Sequence, residues 1–147
     1  LEDTNFELIN KIPFFAKFNE EEKRFLANLD KHLLRYQPSD FIINEGEIDN
    51  AFFVLLKGVI CIVKSKPKEK TITKLKTGSV FGEIAVVGKR PRTTSVVANG
   101  DVIAMRIELS EVEKLPLNIQ TKLKDQLIGI LANRLEIMND QWARFIR

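Results

Sequence analysis

From His32 to Leu109 the chain is a succession of short β-branched and aromatic runs, HLLRYQ, FIIN, AFFVLL, VICIVK, TITKL, TSVVA and VIAMRIEL, each ended by turn residues. Gly46, Gly58, Gly78, Gly88 and Gly100 punctuate them at fairly regular intervals. Short strands spaced in this way, with no long helix between them, predict an antiparallel sandwich or barrel. One run breaks the rule. SVF leads into GEIAVV, which is too short and too awkwardly flanked for a strand, and a turn of helix opening at Gly82 or Glu83 is expected there.

The two flanks carry a helical period. Asn19 followed by Glu22 has the spacing of a capping box, and Phe25, Leu26 and Leu29 then share a face, so a short helix is expected over residues 20–29. Ahead of it, Ile12, Phe14, Phe15 and Phe18 are too apolar for a free tail and should dock on the core. After the strands, Ser110 is expected to cap SEVEKL, Pro116 marks a break, and a second helix runs from about Asn118 to the end. In that helix Ile128, Leu131, Leu135, Met138, Trp142 and Phe145 recur as a heptad seam, beside a second stripe of Leu123, Leu127, Ile130 and Ile137. Two readings stay open for the seam: a homodimer contact, or a terminal helix lying wholly against its own barrel. The expected organisation is one domain over 1–147, with N-terminal helices at 1–30, a β-barrel at 31–109 and C-terminal helices at 110–147.

Composition bounds the chemistry. At 147 residues, 44% apolar and 29% charged, the chain has the make-up of an ordinary soluble domain, and no apolar run approaches the ~20 residues that span a bilayer. Cys61 is the only cysteine and lies in the apolar VICIV, which reads as a buried inert thiol in a reducing, cytoplasmic setting. The single histidine, His32, has no second His or Cys to complete a metal site, and no nucleophile stands in an activating motif, so no catalytic residue, metal or cofactor is expected. The net charge of +3 owes much to Lys64, Lys66, Lys68, Lys70, Lys74 and Lys76. With no aromatic residue interleaved to stack on bases, these lysines read as the solvated face of a hairpin rather than a polyanion site. The chain starts at Leu1, which suggests a processed product or an excised fragment, without the basic start and apolar core of a signal peptide.

Residues 81–97, FGEIAVVGKRPRTTSVV, stand out because an apolar run carries one acid, one guanidinium and a run of hydroxyls. N–H groups opening a short helix attract an anion, and Gly82 lets that anion approach with no Cβ in the way. Arg92 offers a planar fork of donors that matches two phosphate oxygens. Glu83, acceptor-only when ionised, suits a hydroxyl pair. Together they fit a small anion bearing a ribose hydroxyl. The competing reading is a structural Glu83–Arg92 ion pair at a barrel rim, and on the residues alone both stand.

The string FGEIAVVGKRPRTTSVVA resembles the phosphate-binding cassette of cyclic-nucleotide-binding domains, whose usual form is F-G-E-[LI]-[AS]-L, a spacer, then P-R-x-[AT]-[ST]-V. IPFFAKFNEEEKRFLANL resembles that family's leading helices, FIINEGEIDNAFFVLLKGVICIV its first strands, and KLKTGSVFGE its approach to the cassette. The resemblance, to domains of the catabolite-activator and kinase-regulatory type, covers essentially the whole chain. It implies an antiparallel jelly-roll β-barrel with short N-terminal helices and a C-terminal lid or dimerisation helix. It further implies that Glu83 accepts from the ribose 2′-hydroxyl, that Arg92 grips the exocyclic phosphate oxygens, and that the N–H groups of Gly82, Ile84 and Ala85 complete the cradle. Thr93 and Thr94 would then meet phosphate and base, with Val80, Phe81 and Val96 as apolar wall. The stretch matching the family's lid makes Arg134, Met138 and Asn139 the candidates for base contact. In the eukaryotic branch a threonine after the arginine is associated with cGMP, yet small hydroxyl residues also stand there in cAMP binders, so both ligands remain open. Gln37-Pro38-Ser39-Asp40 departs from the family, which often has a glycine in that turn.

The expected function is a non-enzymatic cyclic-nucleotide sensor that relays occupancy through movement of its C-terminal helix. The alternative is a dimerising scaffold with a vestigial pocket. Membrane insertion is not expected, for want of a long apolar run, and nucleic-acid binding is not expected of these residues, since the chain reaches Arg147 just past the closing helix with no recognition helix.

Overall fold

The computed structural model describes residues 2–65 and 68–146. Lys66 of the lysine run lies outside them. Helix α1 (Glu2–Asn10), a 3-10 turn at Pro13–Phe15 and α2 (Glu20–Ala27) lead into β1 (Leu33–Tyr36), β2 (Phe41–Ile43), β3 (Ala51–Lys57), β4 (Val59–Lys64), β5 (Lys70–Lys76) and β6 (Val80–Phe81). Helix α3 (Glu83–Gly88), β7 (Ser95–Ala98), β8 (Val102–Glu108), α4 (Leu109–Val112) and α5 (Leu117–Phe145) follow. The strands form two four-stranded antiparallel sheets, in the orders β1-β8-β3-β6 and β2-β7-β4-β5. The strand pattern predicts an antiparallel sandwich or barrel, and the arrangement is the jelly roll with helices at both ends that the family resemblance implies.

Strand β3 explains why AFFVLL is apolar throughout. Phe53 and Leu55 enter the space between the sheets with Ile43, Ile60, Phe81, Val96 and Ala104, while Phe52, Val54 and Leu56 enter a second core beneath the helices. A strand covered on both faces cannot alternate with polar residues. Strand β8 does the same, sending Val102 and Ala104 one way and Ile103, Met105 and Ile107 the other. Ile12, Phe14, Phe15 and Phe18 dock as expected, each at most 5% exposed. Their rings pack edge to face, with Phe14 and Phe15 centroids 5.0 Å apart and Phe15 and Phe18 5.5 Å apart.

The Asn19–Glu22 capping box forms reciprocally, Glu22 N–H donating to Asn19 Oδ1 and Asn19 N–H to Glu22 Oε1, both at 2.8 Å. Glu22 also accepts from Asn118 Nδ2 at 2.7 Å and from Lys122 Nζ, so the cap of α2 is fastened to the start of α5. Burial, the largest influence on this carboxyl, pushes its pKa up. The hydrogen bonds from Lys122, the Asn19 backbone and Asn118, with the Lys122 charge, outweigh it and hold the pKa below its ordinary value.

Two local expectations need correction, the Ser110 cap and the buried Cys61, and two points that the sequence left open are answered. Ser110 does not cap a helix: α4 opens at Leu109, and Ser110 Oγ donates to Glu108 Oε1 at 3.1 Å. Cys61 is half-buried rather than buried, because strand alternation gives the inward position in β4 to Ile60. The turn at Gln37–Asp40 needs no glycine. Ser39 adopts φ 71°, braced by its N–H donating to Ala98 O at 2.9 Å and by Asp40 Oδ2 accepting from Gln37 N–H at 2.7 Å. Helix α5 does not lie wholly against the barrel: Ile119, Leu123 and Leu127 are buried and Ile130 and Leu131 partly so, after which Leu135, Met138, Trp142 and Phe145 are exposed.

Candidate nucleotide-binding site

Strand β6 ends at Phe81, and the chain turns on Gly82, at φ 80°, straight into α3. A side chain there would be strained by the left-handed backbone, and its Cβ would stand 2.9 Å from Arg92 Nη1 and 3.0 Å from Ile43 Cδ1. Gly82 is therefore where the cassette backbone and Arg92 approach each other. The helix ends on Lys89, at φ 51°, rather than on Gly88.

Arg92 is 4% exposed. Its guanidinium donates to the carbonyls of Gly82 and Ala51, and it pairs with Asp49 Oδ2 at 3.4 Å. Asp49 Oδ1 in turn accepts from Arg106 Nη2 at 2.8 Å, and Arg106 Nη1 reaches Glu108 Oε2 at 3.1 Å. Arg92 Nε is buried with no acceptor.

Glu83, the first residue of α3, is 1% exposed. Neither carboxylate oxygen has a well-aligned hydrogen-bond donor. Its counter-charge is the guanidinium of Arg134, which comes from α5 and also donates to Val80 O at 2.8 Å. Burial raises the Glu83 pKa above its ordinary value; the residue's own backbone N–H and the charges of Arg134 and Arg92 pull downward without cancelling that rise. Glu83 and Arg92 do not pair with each other, so the ion-pair reading of the sequence is set aside.

Both residues line one cavity of about 180 Å³, together with Gly82, Ile84, Ala85, Thr93, Thr94 and Arg134. Ile43, Ile62, Leu75, Val80, Phe81 and Val96 complete its apolar wall. The expected residues of segment 81–97 thus come together, and Arg134 joins them. Met138 and Asn139 do not. They lie farther out on α5, along a groove shared with Leu135, Trp142 and Phe145. Three features escaped the sequence: the Asp49 counter-ion, the Ala51 carbonyl, and the wall residues Ile43, Ile62 and Leu75. The wall was foreshadowed only as the inward positions of strands. Among the described residues no group of three or more His, Cys, Asp or Glu side chains is placed to hold a metal ion, and no helix is long and apolar enough to cross a membrane.

A family model, "Cyclic nucleotide-binding domain", matches residues 33–117, more than half of the chain. The protein belongs to this family. It is 28% identical over 125 residues to the mouse (Mus musculus) cyclic nucleotide-gated channel beta-3, covering 83% of this chain and 18% of that protein. It is 27% identical over 134 residues to a cAMP-dependent protein kinase regulatory subunit of Mycosarcoma maydis, covering 90% and 25% respectively. The chain thus spans a quarter or less of the length of these relatives. The fold matches the Thermus thermophilus catabolite activator protein with a TM-score of 0.73 at 20% identity, over 90% of this chain and 62% of that one.

Proposed function

We propose that this cavity binds a 3′,5′-cyclic purine nucleotide, cAMP or cGMP, and holds it without turning it over. The observation that carries the reading is that two buried groups of opposite charge, Arg92 and Glu83, line one cavity and are not each other's partner, while Arg92 Nε and Glu83 Oε2 stand there without a hydrogen-bond partner. Buried polar atoms without partners cost free energy, and a guest that supplies the missing ones recovers it. A cyclic phosphodiester carries one negative charge and suits the Arg92 guanidinium with the N–H groups of Gly82, Ile84 and Ala85. The ribose 2′-hydroxyl donates to Glu83. Thr93 and Thr94 serve phosphate and base, and the purine packs on the apolar wall. The names of the channel and kinase relatives support the same ligand class.

Arg134 connects the site to its output. A ribose hydroxyl on Glu83 changes the partner that holds α5 at the cavity mouth, so occupancy biases the position of that helix. Met138 and Asn139 reach the base only when the outer part of α5 swings over the cavity. The exposed seam of Leu135, Met138, Trp142 and Phe145 is assigned to a homodimer contact, which Leu135→Glu is expected to abolish, with the mass in solution read by light scattering. The reading takes a cytoplasmic setting and gives these residues no nucleic-acid or membrane partner.

Calorimetric titration with cAMP and cGMP tests the assignment. Saturable binding of at least one ligand, lost in Arg92→Ala and weakened in Glu83→Gln with the circular dichroism of each variant unchanged, supports it. Absence of heat and of thermal stabilisation with both ligands would instead favour a dimerising scaffold with a vestigial pocket.

A further inference from the structure

The backbone that carries Arg92, Thr93 and Thr94 belongs to no helix or strand, so its shape is imposed by neighbours. The turn between β2 and β3 grips Arg92 on both sides: Arg92 N–H donates to Glu47 O, and Gly46 N–H donates to Arg92 O, each at 2.8 Å. One residue on, the contact is a side chain. Lys64, at the end of β4, donates from Nζ to Thr93 O at 2.7 Å. Glu45 aims that ammonium, its Oε2 lying 3.6 Å away. Glu45 is itself fixed, since its Oε1 accepts from Ser65 N–H at 3.0 Å and its own N–H donates to Ser95 Oγ at 2.9 Å.

We propose that Lys64, oriented by Glu45, is a positioning residue for the nucleotide site: by holding the Thr93 carbonyl it fixes the peptide between Thr93 and Thr94, and with it the orientation of both residues toward the ligand. The inference rests on the nucleotide-binding reading above. Arg92 is already immobilised through its main chain and its guanidinium, whereas among the described residues the anchor of the next peptide plane, ahead of the strand that begins at Ser95, is the Lys64 ammonium. Rotation there carries the Thr94 N–H and the two threonine groups off the cavity while leaving Arg92 in place. The Lys64 side chain is 42% exposed, so its pairing with Glu45 is screened by solvent and adds little to stability. The effect of Lys64 therefore falls on ligand geometry rather than on folding.

The test is calorimetry with cAMP and cGMP on the whole chain carrying Lys64→Met, Lys64→Arg or Glu45→Gln, with the melting temperature of each ligand-free protein. Lys64→Met is expected to bind about three- to tenfold more weakly, with faster amide exchange at Thr94 and an unchanged melting temperature. Lys64→Arg, which keeps a charged donor, restores affinity, and Glu45→Gln gives a smaller loss. Wild-type affinity in Lys64→Met, or a loss matched by a lower melting temperature, overturns the inference alone. A wild-type chain that binds neither nucleotide overturns the binding reading and this inference with it.

Discussion

Arg134, on the long C-terminal helix, and Glu83, at the first turn of the cassette helix, form an ion pair across the mouth of the cavity. The pair joins the buried carboxylate of the site to the long helix whose outer residues, among them Leu135, Met138 and Trp142, are exposed. Arg134 lowers the Glu83 pKa while burial raises it. Arg134→Gln is therefore expected to move the Glu83 titration to still higher pH, read by carbon NMR of the side-chain carboxyl. A titration unchanged by the substitution would show that the two groups are not coupled.

Glu83 also sets a pH dependence whose sign is fixed by its raised pKa. An acid with a folded-state pKa above its ordinary 4.5 binds more protons folded than unfolded across that interval. Its contribution to stability is present below the ordinary value and is lost as pH rises through the folded value. Glu83→Gln removes this dependence, so the variant should melt no lower than the wild type at pH 7 while binding nucleotide more weakly. Thermal unfolding at a series of pH values, paired with calorimetry, checks both halves.

Gly82→Ala is expected to damage folding and binding together. The left-handed backbone costs an L residue ~1–2 kcal/mol, and the new methyl meets an Arg92 guanidinium that two carbonyls hold in place. Chemical denaturation should show that loss, and calorimetry a larger proportional loss of affinity than stability, since Arg92 is the group displaced.

Glu22 gives the opposite pH sign from Glu83. Its lowered pKa means that its stabilisation is present above the ordinary carboxylate value of 4.5 and is lost as pH falls through the folded value. Glu22→Gln should cost about 1–2 kcal/mol at pH 7 through the weakened tie to Lys122 and Asn118, and should flatten the acid limb of the stability profile. Denaturant midpoints from pH 7 down to pH 3 provide the measurement.

The strands were legible because each run is short, β-rich and closed by turn residues; Glu83 and Arg92 were conspicuous in an apolar stretch, but it was the resemblance of the whole string to a known cassette that chose a ligand site over an ion pair. Asp49 was not legible, since only the pairing of β3 with β8 brings it beside Arg106 and Arg92. Helix α1 was foreseen only within the N-terminal helices of 1–30, its bounds hidden by a charged, weakly patterned sequence; among the contacts that tie it down, buried Asn5 donates to the distant Ala27 O at 3.3 Å and Ile9 enters the core. Arg134 was reachable as part of a lid, but Met138 stands about 6 Å farther along a straight helix, and sequence does not say where such a helix departs from the body.

Strand β3 has six consecutive buried residues, whereas six of the seven residues of β5 are exposed. Six neighbouring side chains divided between two separate interiors leave mutation no harmless direction. In a saturation library selected for folding, the surviving variants should thin to almost nothing at β3 and crowd at β5, so that tags, labels and engineered charges belong on the latter.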